Sequence, residues 1–529
     1  MFAANQQRVS ITAQVTAAVG GLDDASPVAN MSPEFAIELV NFFPEGGALR
    51  VRDGYREQVT GLVKDGLTLM AFRAGDPSDD RMFVCTDDGI YDATAQTDTP
   101  VLLHPLTSGA VSWTQFSNIA GTWLIGCNGV DPAFLYNGTT FVDFVADPTP
   151  GAPGEINGLS PTDIVGVLQH KNRLWFIEKN SLSAFYWPLN AVAGTVTEFP
   201  LGGIAQLGGR LNAIFTWTMD AAYSVDDMMF FQTSVGELLA YGGTDPANAE
   251  TWFLSARYFA GAPLSNRAHT SLNGDMLLLT EFGLVSLAKV VAGQQSAGAK
   301  ELTTSYRISA SLTSLIRART GPQGWEVTYS PSMQYLILSI PDLVNGVSLQ
   351  YVMNAVSGAW TTFDLPALTF LEYDGFLYFT DDTGRVLRHG DTSADNIALD
   401  GTGATAITAG FKQAYNYFDQ PGVSKHYKLV RPIFESTIPP SYRIAVSPDF
   451  SPYSLRDMDA PGAGADSGFS LWGVGLWDEA LWSPPLLAFQ EWQGVTGVGY
   501  CASLVCLVST TSPLRYVAAM WVYEGGISL

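Results

Sequence analysis

Hydrophobic residues in the middle of the chain fall in runs of about four, each closed by a Thr, an acidic or turn residue and a Gly before apolar residues resume. The pattern reads Met82-Phe-Val-Cys-Thr86-Asp-Asp-Gly89, then Met276-Leu-Leu-Leu-Thr280-Glu-Phe-Gly283, then Phe376-Leu-Tyr-Phe-Thr380-Asp-Asp-Thr-Gly384. Gly accepts the positive φ of a tight turn and the flanking runs favour strands, so each copy predicts a β-hairpin. Looser copies lie at Thr122–Gly129, Arg173–Glu178, Met228–Gln232 and Gln334–Ser339. Aligning Thr86, Gly126, Ile177, Gln232, Thr280, Ser339 and Thr380 gives steps of 40, 51, 55, 48, 59 and 41 residues. That is the spacing of four-stranded propeller blades. Blades stack face to face, so their central strands should be continuously apolar rather than alternating, as Leu277–Leu279 and Phe376–Phe379 are. The expected fold is all-β: a six- or seven-bladed β-propeller with an added C-terminal β-sandwich-like domain. A pair of ordinary antiparallel sandwiches is the alternative.

The ends read differently. In residues 1–60, Gly20-Gly-Leu-Asp-Asp24 reads as a turn. Ser32-Pro33-Glu34 reads as a helix start continued by Phe35–Val40, and Ala48–Arg52 as a strand that enters the first blade or completes the last. The Gly/Ala/Thr-rich stretch Asp391–Thr408 marks a boundary, giving a lead-in over 1–60, a propeller over 61–395 and an all-β domain over 396–529. Trp472, Trp477 and Trp482, spaced by five, read as packing anchors of that domain, with a stacking ladder for sugars or bases as the other reading.

Composition narrows the function. At 47% hydrophobic and 12% aromatic the chain folds, and no run of apolar residues is long enough to span a bilayer. Met1–Arg8 shows no secretory leader, which predicts folding in a cytoplasm. Cys85, Cys127, Cys501 and Cys506 have no metal-ligand spacing and read as buried free thiols. The net charge is −24, of which −21 falls on residues 1–400, and no Lys/Arg cluster suits phosphate binding. His104, His170, His269, His389 and His426 are scattered and form no zinc motif. Ser286-Leu-Ala-Lys289 matches S-x-x-K without its companion motifs. Asp87, Asp88, Asp381 and Asp382 invite a propeller glycosidase reading, but in hairpin turns such residues cap their own backbone. No catalytic, cofactor-binding or metal-ligating residue is assigned, no cofactor is expected and the chain is not read as an enzyme.

Gly20-Gly-Leu, Asn41-Phe42 and Gly47-Ala-Leu-Arg-Val-Arg-Asp-Gly54, together with Phe411–Asn416, Lys428 through Arg431-Pro432, Trp472-Gly473, Trp477-Asp478, Trp482 and Gly497-Val-Gly499, resemble the two ends of nozzle proteins of short-tailed bacteriophages, also called tail tubular protein B or packaged-DNA stabilisation proteins. The resemblance implies a virion protein of the tail, synthesised in the host cytoplasm. It would form a homohexameric ring below the adaptor of the portal, enclose the DNA ejection channel and help retain packaged DNA. Its partners would be the adaptor and tail fibres or spikes, with genomic DNA passing unbound. No functional residue carries over, because the family has no active site to map. The acidic surplus then suggests a bore to which DNA does not adhere. The rival readings are a host-recognition protein binding surface glycan through the Trp-rich tail, and a propeller glycosidase.

Overall fold

The computed structural model describes residues 10–221, 224–293, 303–318, 324–341, 348–462 and 486–526, with side chains given outside 219–226. Trp472, Trp477 and Trp482 lie outside the described residues.

Seven antiparallel sheets follow one another through the middle of the chain as up-and-down meanders. They span residues 66–104, 112–143, 164–200, 211–259, 269–286, 326–363 and 370–389, and are called the first to seventh blades below. Six are separate sheets, the fifth with three strands, while the sixth continues into a nine-stranded sheet. The molecule is a β-propeller. The central strands are apolar on both faces as anticipated: in Arg81–Thr86 every residue after the first is buried, and so is every residue after Phe376 in Phe376–Thr380. Aromatic rings fill some of the seams between blades. Trp175 of the third blade stacks on Trp252 of the fourth at 5.8 Å and 21°.

The recurring Thr has a definite job. Thr86 donates to the Gly89 carbonyl at 2.9 Å and accepts from the Gly89 N–H at 3.2 Å, tying the turn to its strand. Thr280 repeats the first of these bonds with Gly283. In the longer third copy, Thr380 reaches instead to the Gly66 carbonyl of the first blade at 2.6 Å. Thr380→Val keeps the shape but removes that buried bond, so chemical denaturation should show a loss of about 1 kcal/mol.

The first 60 residues are not a unit of their own. Tyr55–Val59 pairs with Val386–His389 as the outer strand of the seventh blade, closing the ring with chain from the other end. Ala48–Val51, the strand expected to do this, pairs instead with Phe42–Glu45 and with Leu514–Gly525. The segment expected to be a helix, Ser32 to Asn41, contains the strand Phe35–Val40, paired with Ile407–Gln413. Ser32 and Pro33 made a plausible cap, but β-branched and aromatic side chains opposite a partner strand gain more from pairing than from an isolated helix of two turns.

Two packed sheets make the second domain. One holds Ser10–Thr16, Phe42–Glu45, Ala48–Val51, Lys425–Ser436, Leu487–Gln490, Gln493–Gly499 and Leu514–Gly525, and is called the outer sheet below. The other extends the sixth blade through Gly21–Leu22, Phe35–Val40, Ile407–Gln413, Ala502–Thr510 and Ser441–Pro448. One hydrophobic core runs through both, holding Leu39, Phe42, Phe411, Tyr516 and Trp521 together with Leu277 of the fifth blade and Trp360 of the sixth. The composition change at Asp391–Thr408 therefore marks a crossing of the chain and not a break in the core.

Candidate functional site

Two polar centres stand out from the apolar frame. The first lies on the propeller axis, where a cavity of about 450 Å³ is lined by the innermost strands of all seven blades. Arg267, entering the fifth blade, crosses this cavity. Its guanidinium donates to the Leu67 carbonyl at 2.9 Å, the Val111 carbonyl at 3.0 Å and the Thr68 hydroxyl, joining the fifth blade to the first and second. Glu326 of the sixth blade also faces the cavity and accepts from the Thr369 hydroxyl at 2.9 Å. Burial pushes its carboxyl pKa up, with the Arg267 charge and the Thr369 bond working against that rise. His269 lines the same space with an unpartnered Nδ1, and burial pulls its pKa down to about 4.

The second centre joins the two ends of the chain. Arg52 is 3% exposed. It donates to both oxygens of Asp395 at 2.8 and 2.7 Å, to Asp364 at 2.9 Å and to the Asn41 side-chain oxygen at 2.9 Å. Asn41 in turn donates to the Thr408 carbonyl at 2.7 Å. Burial works against the Arg52 charge, but hydrogen bonds and charge from Asp395 and Asp364 outweigh it and hold the guanidinium above its ordinary pKa. Beside it, Gly54 passes so close to Ala394 that a Cβ would stand 2.0 Å from the Ala394 carbonyl oxygen, which only glycine avoids. At the start of the same unit, Gly21 has φ +82° and a Cβ there would stand 2.5 Å from the Trp360 carbonyl oxygen. Asp24 accepts from the N–H groups of Ala310 and Ser311 at the head of the helix Ser309–Ala318.

His389 lies next to this junction. Neither ring nitrogen completes a well-formed hydrogen bond, and burial, with the nearby Arg52 and Arg50 charges, lowers its pKa to about 3. Unfolded, it binds a proton from about pH 6.5 downward, whereas the native state holds it neutral, so its contribution to stability is full above pH 6.5 and declines as the pH falls towards 3. Its share amounts to about 1.4 kcal/mol per pH unit. Replacing His389 by Gln should flatten the fall in stability between pH 6.5 and 5, measured by urea unfolding across that range.

The residues singled out by sequence have structural posts. Asp87 accepts from the Gly109 N–H at 2.9 Å, and Asp88 from the Tyr91 hydroxyl at 2.8 Å. Asp381 holds its own turn through the N–H groups of Thr383 and Arg385. None of these, nor Asp382, lines the axial cavity, and of the five histidines only His269 does. Ser286 caps the short helix Leu287–Val291, accepting from the Lys289 N–H at 3.2 Å. All four cysteines are buried and free. Among the described residues, no group of three or more His, Cys, Asp or Glu is placed to hold a metal, and no helix is long and apolar enough to cross a membrane. Arg267 and Glu326 were not singled out by sequence reasoning, and Arg52 entered only as part of the strand Ala48–Arg52 and the resembling stretch Gly47–Gly54. The available signal was an Arg in or beside an otherwise strand-forming run, at Arg52 and in Ser265-Asn-Arg-Ala-His269.

No family model matches the chain, and no curated protein matches its sequence. Solved structures with a similar course of the chain include BBS1N in complex with ARL6DN, 11% identical with a TM-score of 0.37, covering 65% of this chain and 99% of that one. The extracellular domain of the putative one-component system BT4673 of B. thetaiotaomicron is 12% identical with a TM-score of 0.38, covering 68% of this chain and 44% of that one. The Neurospora crassa Pan2 WD40 domain is 12% identical with a TM-score of 0.36, covering 64% and 95%. The propeller assignment stands on the sheets themselves.

Proposed function

We propose that this chain is a structural subunit of a short-tailed phage tail, a nozzle component that joins copies of itself in a ring, six in the family it resembles, below the head-to-tail adaptor and around the path of the leaving genome. One observation carries the reading. The stretches of resemblance at the two ends of the chain meet in space: Asn41 bonds to Thr408 across 367 residues of sequence, and the Phe42 ring packs on Phe411 at 5.6 Å. A pattern of Gly, Asn, Arg and Phe scattered over both termini is what one shared tertiary junction would impose.

In this reading the DNA path runs between subunits and not along the propeller axis. The axial cavity is small and bridged by Arg267, whereas the major groove of a duplex alone is about 12 Å wide. The −21 balance of residues 1–400 then has a use, since an acidic wall gains nothing from counterion release and lets phosphates pass. Gold-labelled antibody raised against the folded protein should mark the tail of phage particles that encode it. Particles that carry no label, with the protein found only in lysate, would overturn the reading.

A further inference from the structure

Among the described residues the outer sheet has four end strands, Ser10–Thr16 and Phe42–Glu45 on one side and Leu487–Gln490 and Gln493–Gly499 on the other, and Ser10–Thr16 and Gln493–Gly499 are the longer of each pair. Four strands lie level across it, in the order Ser10–Thr16, Leu514–Gly525, Lys425–Ser436 and Gln493–Gly499, each antiparallel to the next. Among the described residues, Ser10–Thr16 pairs only with Leu514–Gly525, and Gln493–Gly499 only with Lys425–Ser436. Each edge strand is seven residues long. The Ala17 N–H bonds inward to Val517, and the Thr16 carbonyl is met from the other side by Gln413. By the alternation of an antiparallel ladder, the peptide groups of Thr12 and Gln14 therefore face the open side.

Neither edge carries the usual defences. Natural sheets blunt exposed edges with Lys, Pro or inward charges. Ser-Ile-Thr-Ala-Gln-Val-Thr and Gln-Gly-Val-Thr-Gly-Val-Gly contain no charged residue and no Pro, in a chain that is 15% charged with a net charge of −24. The sheet does use prolines, but outside these two strands: Pro44 lies in the end strand Phe42–Glu45, and Pro432 falls where Leu487–Gln490 and Gln493–Gly499 leave a gap beside their shared partner strand, so its missing N–H costs no ladder bond on that side.

We infer that these two edges are the two halves of a subunit interface: Ser10–Thr16 of one copy pairs antiparallel with Gln493–Gly499 of the next, joining the outer sheets of successive copies. Three matches point to a second copy as the occupant. The edges are equal in length, both are free of the charge that would set two strongly acidic chains against each other, and their directions continue the antiparallel order without reversal. They lie on opposite sides of one sheet, so the contact is heterologous and propagates head to tail, closing into a ring when the rotation per copy allows. This deepens the ring proposed above and rests on it.

The test uses the full chain. Thr12 and Thr496 are exposed on the same face of the sheet, and the native cysteines are buried. The double variant Thr12→Cys with Thr496→Cys, treated with a short thiol cross-linker, should give a ladder of covalent multimers on denaturing gels, while either single variant gives none beyond dimer. Thr12→Lys with Gln14→Lys places charge only on exposed side chains, and should leave circular dichroism and thermal unfolding unchanged while reducing multimers seen by light scattering at least tenfold. Multimers that survive the lysine pair and fail to cross-link would overturn this interface while leaving a ring intact through another surface. A wild-type chain that stays monomeric in concentrated solution would overturn self-pairing of these edges, whereas failure of the ring reading itself would show separately as absence of the protein from phage tails.

Discussion

Arg52→Ala should destabilise the protein by about 3–5 kcal/mol, because it leaves Asp395 buried without its counter-charge. The loss reaches beyond one ion pair. Arg52 is bonded to Asn41 from the lead-in, Asp364 from the chain just after the sixth blade and Asp395 from the crossing segment, so three separate stretches lose a common anchor. Arg52→Lys should recover only part of it, since an ammonium cannot grip both Asp395 oxygens in the plane of a guanidinium. Arg52→Met combined with Asp395→Leu should recover most of it, because replacing a buried pair by apolar residues avoids the unpaired charge. Urea unfolding of the four proteins distinguishes these cases. Equal losses in the single and double variants would mean that the pair contributes through shape and not through charge.

Trp175→Ala should cost a comparable amount, about 3–5 kcal/mol, for a different reason. The indole is 1% exposed and fills the seam between the third and fourth blades, with Tyr186 at 4.8 Å, Phe231 at 5.8 Å and Trp252 at 5.8 Å. Its Nε1 has no hydrogen-bond partner, so the contribution is packing alone. Trp175→Phe should therefore retain more than half of the lost stability, whereas an indole held by its N–H would show no such rescue. The seam lies far in sequence from the Arg52 junction, and the two truncations should add to within about 0.5 kcal/mol if blades transmit little strain to one another.

Much of the propeller was legible because each hairpin is a local event. The four apolar residues, the Thr and the Gly of Met82–Gly89 lie within one strand and its turn, and their spacing along the chain reports the blade repeat. The second domain was legible as β-structure but not as a junction. Nothing near Phe35–Val40 in sequence announces that its partner is Ile407–Gln413, so the local Ser-Pro-Glu signal favoured a helix and tertiary pairing overrode it. For the same reason the closing strand was sought in Ala48–Arg52, which has the cleaner alternation, when Tyr55–Val59 performs the closure with Arg56 and Glu57 in its middle. The axial centre was hidden altogether. Arg267 and Thr68 are 199 residues apart, and only the closing of the ring brings them to one axis.

Native-state hydrogen exchange addresses most directly the claim that the two ends of the chain and the propeller form one body. The account predicts that amides of Ser10–Thr16, Tyr55–Val59, Val386–His389 and Leu514–Gly525 that bond within their ladders exchange in one slow class, and that Arg52→Ala speeds all of them together. Fast, independent exchange of Tyr55–Val59 while Val386–His389 stays protected would contradict it, leaving the lead-in as a loosely attached segment.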